Sequence, residues 1–275
     1  MSTALIVVAD DFGATKGINS AVSQLHKVGV LDAAALMTHG KEFFGAISIC
    51  HSNPSLRIGL HLVLTDERSE REYDWLDSSV KFPNRRTLLS KLFMREISAF
   101  DIRNEIEAQI RMIEDHGIKV TFINGHQHVH TLPYVARVVA DVAEERDLYV
   151  RIPTASRFQG SPKKLLMRCF ATVLRHYAKQ RGLQVNDLLV SNFDLPSRIF
   201  DIDSTLGLLK DISGGSIIYE YMIHPSSEID GLKHYWYVNP SHIAERLQEY
   251  ETWQTDAVID AVNSFRRPWS SAPTE

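Results

Sequence analysis

Apolar residues fall along this chain in two rhythms. Leu5 to Ala9 (LIVVA) is an uninterrupted, β-branched-rich run, too short for a helix and followed by Gly13. It reads as a strand buried on both faces. Similar short runs recur at Ala33–Met37, Ile58–Leu64, Val120–Asn124, Tyr149–Ile152, Asp187–Phe193 and Ile217–Ile223. Between them the spacing turns helical. Ile18, Val22 and Leu25 lie on one face of Lys16–Lys27, which Gly29 ends, and Glu42–His51 reads as a second helix. Asp101 opens a helix whose Ile102, Ile106, Ile110 and Ile113 form one stripe up to Gly117. Pro133 suits the first turn of a helix running to about Arg146. Further helices are expected at Ser161–Arg181, Asp203–Asp211 and Ser241–Phe265.

Strand and helix in alternation mark right-handed parallel crossovers. About seven strands predict an α/β fold, an irregular TIM-like (β/α) barrel in one domain over residues 1–265, with 266–275 a disordered tail. The rhythm breaks from Thr65 to Phe100, where charged, aromatic and turn residues suggest a lid or substrate loop or a segment with a little structure of its own, the alternative for its charged half being a disordered surface insertion.

The polar residues that interrupt the strands share one position. Asp10 and Asp11 follow strand one, and His61 lies within strand three. His126, His128 and His130 follow strand four, Arg151 sits in strand five, and His224 ends the last strand. In a barrel all strand ends face one mouth, so these residues converge without further assumption. Two adjacent carboxylates need a cation or a shared proton. One carboxylate with two imidazoles makes an open ligand set for a catalytic divalent ion, Zn²⁺ or alternatively Mg²⁺ or Mn²⁺. His126 and His128 alternate with Gln127, so from an extended segment either could face the acids. No GxGxxG, GxxxxGK[ST] or GxSxG occurs, so dinucleotide, P-loop and serine-elbow readings lack support.

Composition narrows the partners. Lys+Arg 30 against Asp+Glu 34 gives a net charge of −4, which argues against a nucleic-acid surface. No apolar run approaches the ~20 residues that cross a bilayer, and the N-terminus lacks a basic leader region. Two cysteines, Cys50 and Cys169, make no disulfide framework, so a reduced, cytoplasmic chain is expected, with a homodimer admitted as an assembly.

The motifs ADDFG, GLHLVLT, NGHQHVH, VRIP and MIHP, in that order from Leu5 to about Trp253, resemble the YdjC-like carbohydrate deacetylase family. That family includes chitooligosaccharide deacetylases and a hopanoid-associated branch. The resemblance implies an irregular barrel, a divalent metal (Mg²⁺ or Zn²⁺) held by Asp11, His61 and His126, and Asp10 as general base. It implies hydrolysis of the N-acetyl group of a sugar. His224, with His128 behind it, is the candidate acid for the leaving amine, and His128 and Arg151 are candidates to touch the sugar. Tyr73, Trp75, Phe82 and Tyr235 to Tyr237 could supply aromatic platforms. A small N-acetylglucosamine-containing saccharide is the expected substrate. The alternatives are an N-acetylglucosaminyl lipid, a metal-dependent phosphoesterase, or a sugar-binding barrel without turnover.

Overall fold

The structure, a computed structural model, describes residues 4–67, 69, 72–76, 81–154, 162–192, 200–211, 217–233 and 242–265. The expected disordered tail and the Tyr235–Tyr237 aromatics lie outside these residues. Among these residues seven parallel strands form one sheet: β1 (Ala4–Phe12), β2 (Ala33–Leu36), β3 (Arg57–Leu62), β4 (Val120–Gly125), β5 (Tyr149–Val150), β6 (Leu188–Val190) and β7 (Ile218–Ile223). Their order is β5-β4-β3-β2-β1-β7-β6, so the first strand lies at the centre.

The sheet curls until its two edges meet. Val150 forms a parallel bridge to Val185, just before β6, and Val150 N donates to Gln184 O at 3.0 Å. The Asn186 side chain completes this seam. Its Oδ1 accepts from Ile152 N at 2.6 Å and its Nδ2 donates to Ile152 O at 2.8 Å, copying a β-ladder with a carboxamide. The result is the irregular β/α barrel expected from the strand count.

Helices cover the outside: α1 (Lys16–Lys27), α2 (Phe43–Ser52), α3 (Arg85–Phe93), α4 (Ala99–Glu114), α5 (Val135–Arg146), α6 (Pro162–Gln180), α7 (Ile202–Lys210), α8 (Asp230–Lys233), α9 (Ile243–Trp253) and α10 (Asp256–Phe265). Helix α4 begins two residues before the predicted Asp101. Ser98 is its cap, and Asp101 instead closes a capping box by accepting from Ser98 N. The single C-terminal helix predicted from Ser241 is two, broken at Gln254–Thr255. Within the long loop, α3 is the structure of its own that the segment's length admits. Trp75 and Phe82 stack at 5.8 Å and are buried, with Tyr73 on Trp75 at 5.5 Å, so the described loop aromatics pack and are not platforms. No helix among the described residues is long and apolar enough to cross a membrane.

Two apolar layers hold the barrel. The larger lies between sheet and helices; the smaller fills the interior with Ile6, Val8, Ala33, Ala35, Phe122 and Tyr149. Strand alternation extends this inner set to Asp10, His61, Asn124, Arg151 and Glu220. A Cβ on Gly59 would stand 2.4 Å from the Phe122 ring, so glycine on β3 makes room for that floor residue.

Candidate metal centre and active site

The inner residues at the carboxyl ends of the strands become polar and open into a cavity of about 320 Å³. Asp10, Asp11, His61, His126, His128 and His224 line it, together with Arg246. Consecutive strand residues point to opposite faces, so two adjacent acids would not normally share a mouth. Here Asp11 has φ 60° and the β1–β2 register shifts between Ala9 and Phe12. This left-handed step brings Asp11 to the cavity beside Asp10.

Asp11 Oδ1 lies 3.3 Å from His61 Nε2 and 3.2 Å from His126 Nδ1, and its Oδ2 accepts from Arg246 Nη2. Asp10 Oδ1 accepts from Asn124 Nδ2 at 2.9 Å, and its Oδ2 accepts from Arg151 Nη1 at 2.5 Å. Burial alone would raise both carboxyl pKa values. The Arg151 guanidinium outweighs it at Asp10, and Arg246 with the two imidazoles outweighs it at Asp11. Both stay carboxylates well below their usual range. The cation demanded by the paired acids is thus met by two separate arginines.

Ligand atoms of Asp11, His61 and His126 all lie within 4.8 Å of one another. Tetrahedral donors to a zinc ion at about 2.0–2.2 Å stand roughly 3.3–3.6 Å apart. The two spacings around Asp11 Oδ1 therefore suit a divalent ion. His61 Nδ1 is engaged on its other side by Asn124 Oδ1 at 2.7 Å, an arrangement that fixes a ligating imidazole.

The HQHVH segment is not extended. It forms a 3-10 turn from His126 to Thr131 with Gln127 and His128 in left-handed backbone, so the expected alternation does not apply. His126 turns to Asp11, whereas His128 lines the cavity with its ring 5.9 Å from that of His130. Burial holds His128 well below the ordinary imidazole pKa, with the neighbouring His130 and Arg151 adding to it, so it is neutral. Gln127 Nε2 donates to Asp66 Oδ2 at 2.9 Å, tying this turn to the long loop. His224 Nε2 lies 3.8 Å from Asp10 Oδ2, and burial with Arg246 lowers its pKa to about 4.

Arg151 departs from its expected place. It is fully buried, spans Asp10 and Glu220, and does not appear among the cavity-lining side chains. It supports Asp10 from below and is not placed to touch a sugar. Sequence reasoning missed Asn124, Glu220, Arg246 and Glu249. A lone acid within the apolar run Ile217–Ile223 was a readable signal for Glu220, whereas Arg246 and Glu249 sit in an ordinary amphipathic helix pattern.

A model of the YdjC-like protein family matches residues 4–264. The chain belongs to the YdjC-like family. Among curated relatives, a carbohydrate deacetylase of Brevibacillus brevis is 34% identical over 151 residues, 54% of this YdjC-like chain and 59% of that protein. A chitooligosaccharide deacetylase of Yersinia enterocolitica is 28% identical over 187 residues, 68% of this chain and 65% of that protein. The matches thus span about three fifths of those relatives' lengths. In fold, the YdjC-like chain resembles an Enterococcus faecalis protein solved under the provisional name of cellobiose-phosphate cleavage protein. That likeness has a TM-score of 0.75 at 21% identity, covering 96% of this chain and 95% of that one.

Proposed function

We propose that this chain is a metal-dependent N-deacetylase of a small N-acetylglucosamine-containing saccharide. One observation carries the reading. Asp10, a carboxylate held by Arg151 and Asn124, stands in the same cavity as the Asp11–His61–His126 donor set. A site for binding alone has no need of a second, positioned carboxylate beside the donor set. Membership of the YdjC-like family and the named activities of its relatives support the choice of reaction.

Asp11, His61 and His126 would hold a divalent ion, Zn²⁺ or Mg²⁺. Such an ion supplies a Lewis acid that polarises the acyl oxygen and acidifies water. Asp10 accepts a proton from the attacking water as the new carbon–oxygen bond forms. His224 is neutral at the outset, so it donates to the leaving amine only after taking up a proton. Its Nε2 lies 3.8 Å from Asp10 Oδ2, so the proton that Asp10 takes from water can pass to it. The proton then goes to the amine nitrogen as the carbon–nitrogen bond breaks. His128 offers a neutral hydrogen-bonding ring to the substrate.

A phosphoesterase would want more cationic donors; Arg151 is turned to Asp10 and Glu220, and Arg246, which lines the cavity, is turned to Asp11. The test is acetate release from N-acetylglucosamine, chitobiose, chitotriose and a glucosaminyl lipid mimic, beside phosphate release from generic phosphoesters. Acetate from the soluble sugars, lost on chelation and in Asp10→Asn with metal still bound, is the expected result. Turnover of the lipid mimic alone, phosphate release, or near-full activity in Asp10→Asn would overturn it. Stoichiometric metal in His61→Ala would remove the metal assignment.

A further inference from the structure

One inner side chain reaches both halves of the site. Asn124 is fully buried on β4, and its Cα is the register partner of His61 on β3, so the two side chains stand abreast. Its Oδ1 meets His61 Nδ1 at 2.7 Å and its Nδ2 meets Asp10 Oδ1 at 2.9 Å.

The direction of both bonds follows from the groups involved. Arg151 donates to the other oxygen of Asp10, and a carboxylate offers acceptors only. The amide NH₂ must therefore face Asp10, and the carbonyl oxygen must face His61. A carbonyl can only accept, so His61 Nδ1 carries a hydrogen. Nε2, 3.3 Å from Asp11 Oδ1, is then the nitrogen left for a cation. Only a residue with a donor and an acceptor on one short planar group satisfies both neighbours. An aspartate would set a second carboxylate against Asp10, and a serine is too short to span the two.

We propose that Asn124 is a positioning residue that sets, through one amide, the tautomer of His61 and the aim of Asp10. The Asp10 half rests on the deacetylase reading; the His61 half does not.

Two variants separate the halves. Asn124→Asp keeps an acceptor for His61 but opposes Asp10. Its zinc Kd should stay within about threefold of wild type, while kcat falls about 10²-fold with KM unmoved. Asn124→Ala loses both bonds, and zinc affinity should fall about 10–100-fold as well. Nitrogen-15 NMR of the metal-free protein at pH 9 should show the Nδ1–H tautomer of His61 in wild type and Asn124→Asp, and a mixture in Asn124→Ala. Should Asn124→Ala not fold, Asn124→Ser takes its place in the same comparison. Unchanged zinc affinity and tautomer on truncation would overturn the proposal. So would loss of metal and turnover in equal proportion in both variants, since that is what a packing role gives. If the wild type releases no acetate from any sugar while the zinc and tautomer results hold, the deacetylase reading falls and the His61 half is upheld.

Discussion

Behind the site, Glu249 accepts the backbone N–H of His224 at 2.6 Å. Burial pushes its carboxyl pKa up to about 8, against the opposing pull of that N–H and of Arg246. The unfolded chain ionises Glu249 near its ordinary value of 4.5, whereas the folded chain keeps the proton. Between those values the unfolded state binds fewer protons, so this group removes stability as pH rises from about 4.5 to about 8. Glu249→Gln keeps the acceptor for His224 and cannot ionise. Thermal unfolding should show variant and wild type alike near pH 4.5, with the variant ahead by up to a few kcal/mol at pH 8. The residues legible in the sequence were those with chemistry at strand ends: Asp10, Asp11, His61, His126 and His224 all reach one cavity. Asn124 was not, because a carboxamide at the end of an apolar strand looks like a turn signal. Only the register of β3 and β4 shows its two partners.

At the scale of elements, the inner face of the barrel is graded from apolar floor to polar mouth, and the floor sets the height of the mouth. Gly59 carries that function on β3. Gly59→Ala drives a methyl into the Phe122 ring, which lies two residues below Asn124 on the same strand. The cost should be at least about 1–3 kcal/mol in denaturant unfolding, as for other overpacked cores. A parallel loss of zinc affinity should follow as β4 shifts. Strands and most helices could be read from periodicity, since each buries a continuous stripe. What could not be read was local backbone reversal. The left-handed steps at Asp11, Gln127 and His128 occur at residues without glycine's freedom, and tertiary contacts hold them.

For the whole molecule, closure depends on a narrow seam, in which one side chain stands in for a strand. Asn186→Leu leaves Ile152 N and O buried without their partners, at about 1–3 kcal/mol for each group. Because Arg151 precedes Ile152 and holds Asp10, the variant should lose acetate release out of proportion to zinc binding; equal losses would mean the seam is remote from the base. The seven-strand barrel was legible from strand count, yet the seam was not, since no apolar pattern announces an amide that mimics a ladder. The central place of β1 also has a consequence in time. Arg151 lies 141 residues after Asp10, and Arg246 lies 235 residues after Asp11. At a synthesis rate of about 5–20 residues per second, Asp11 waits roughly 10–50 s for its guanidinium to be made. β7, its strand's second neighbour, is nearly as late. A nascent chain therefore carries Asp11 uncompensated, beside a strand with an open edge, well after the partner of Asp10 has been made.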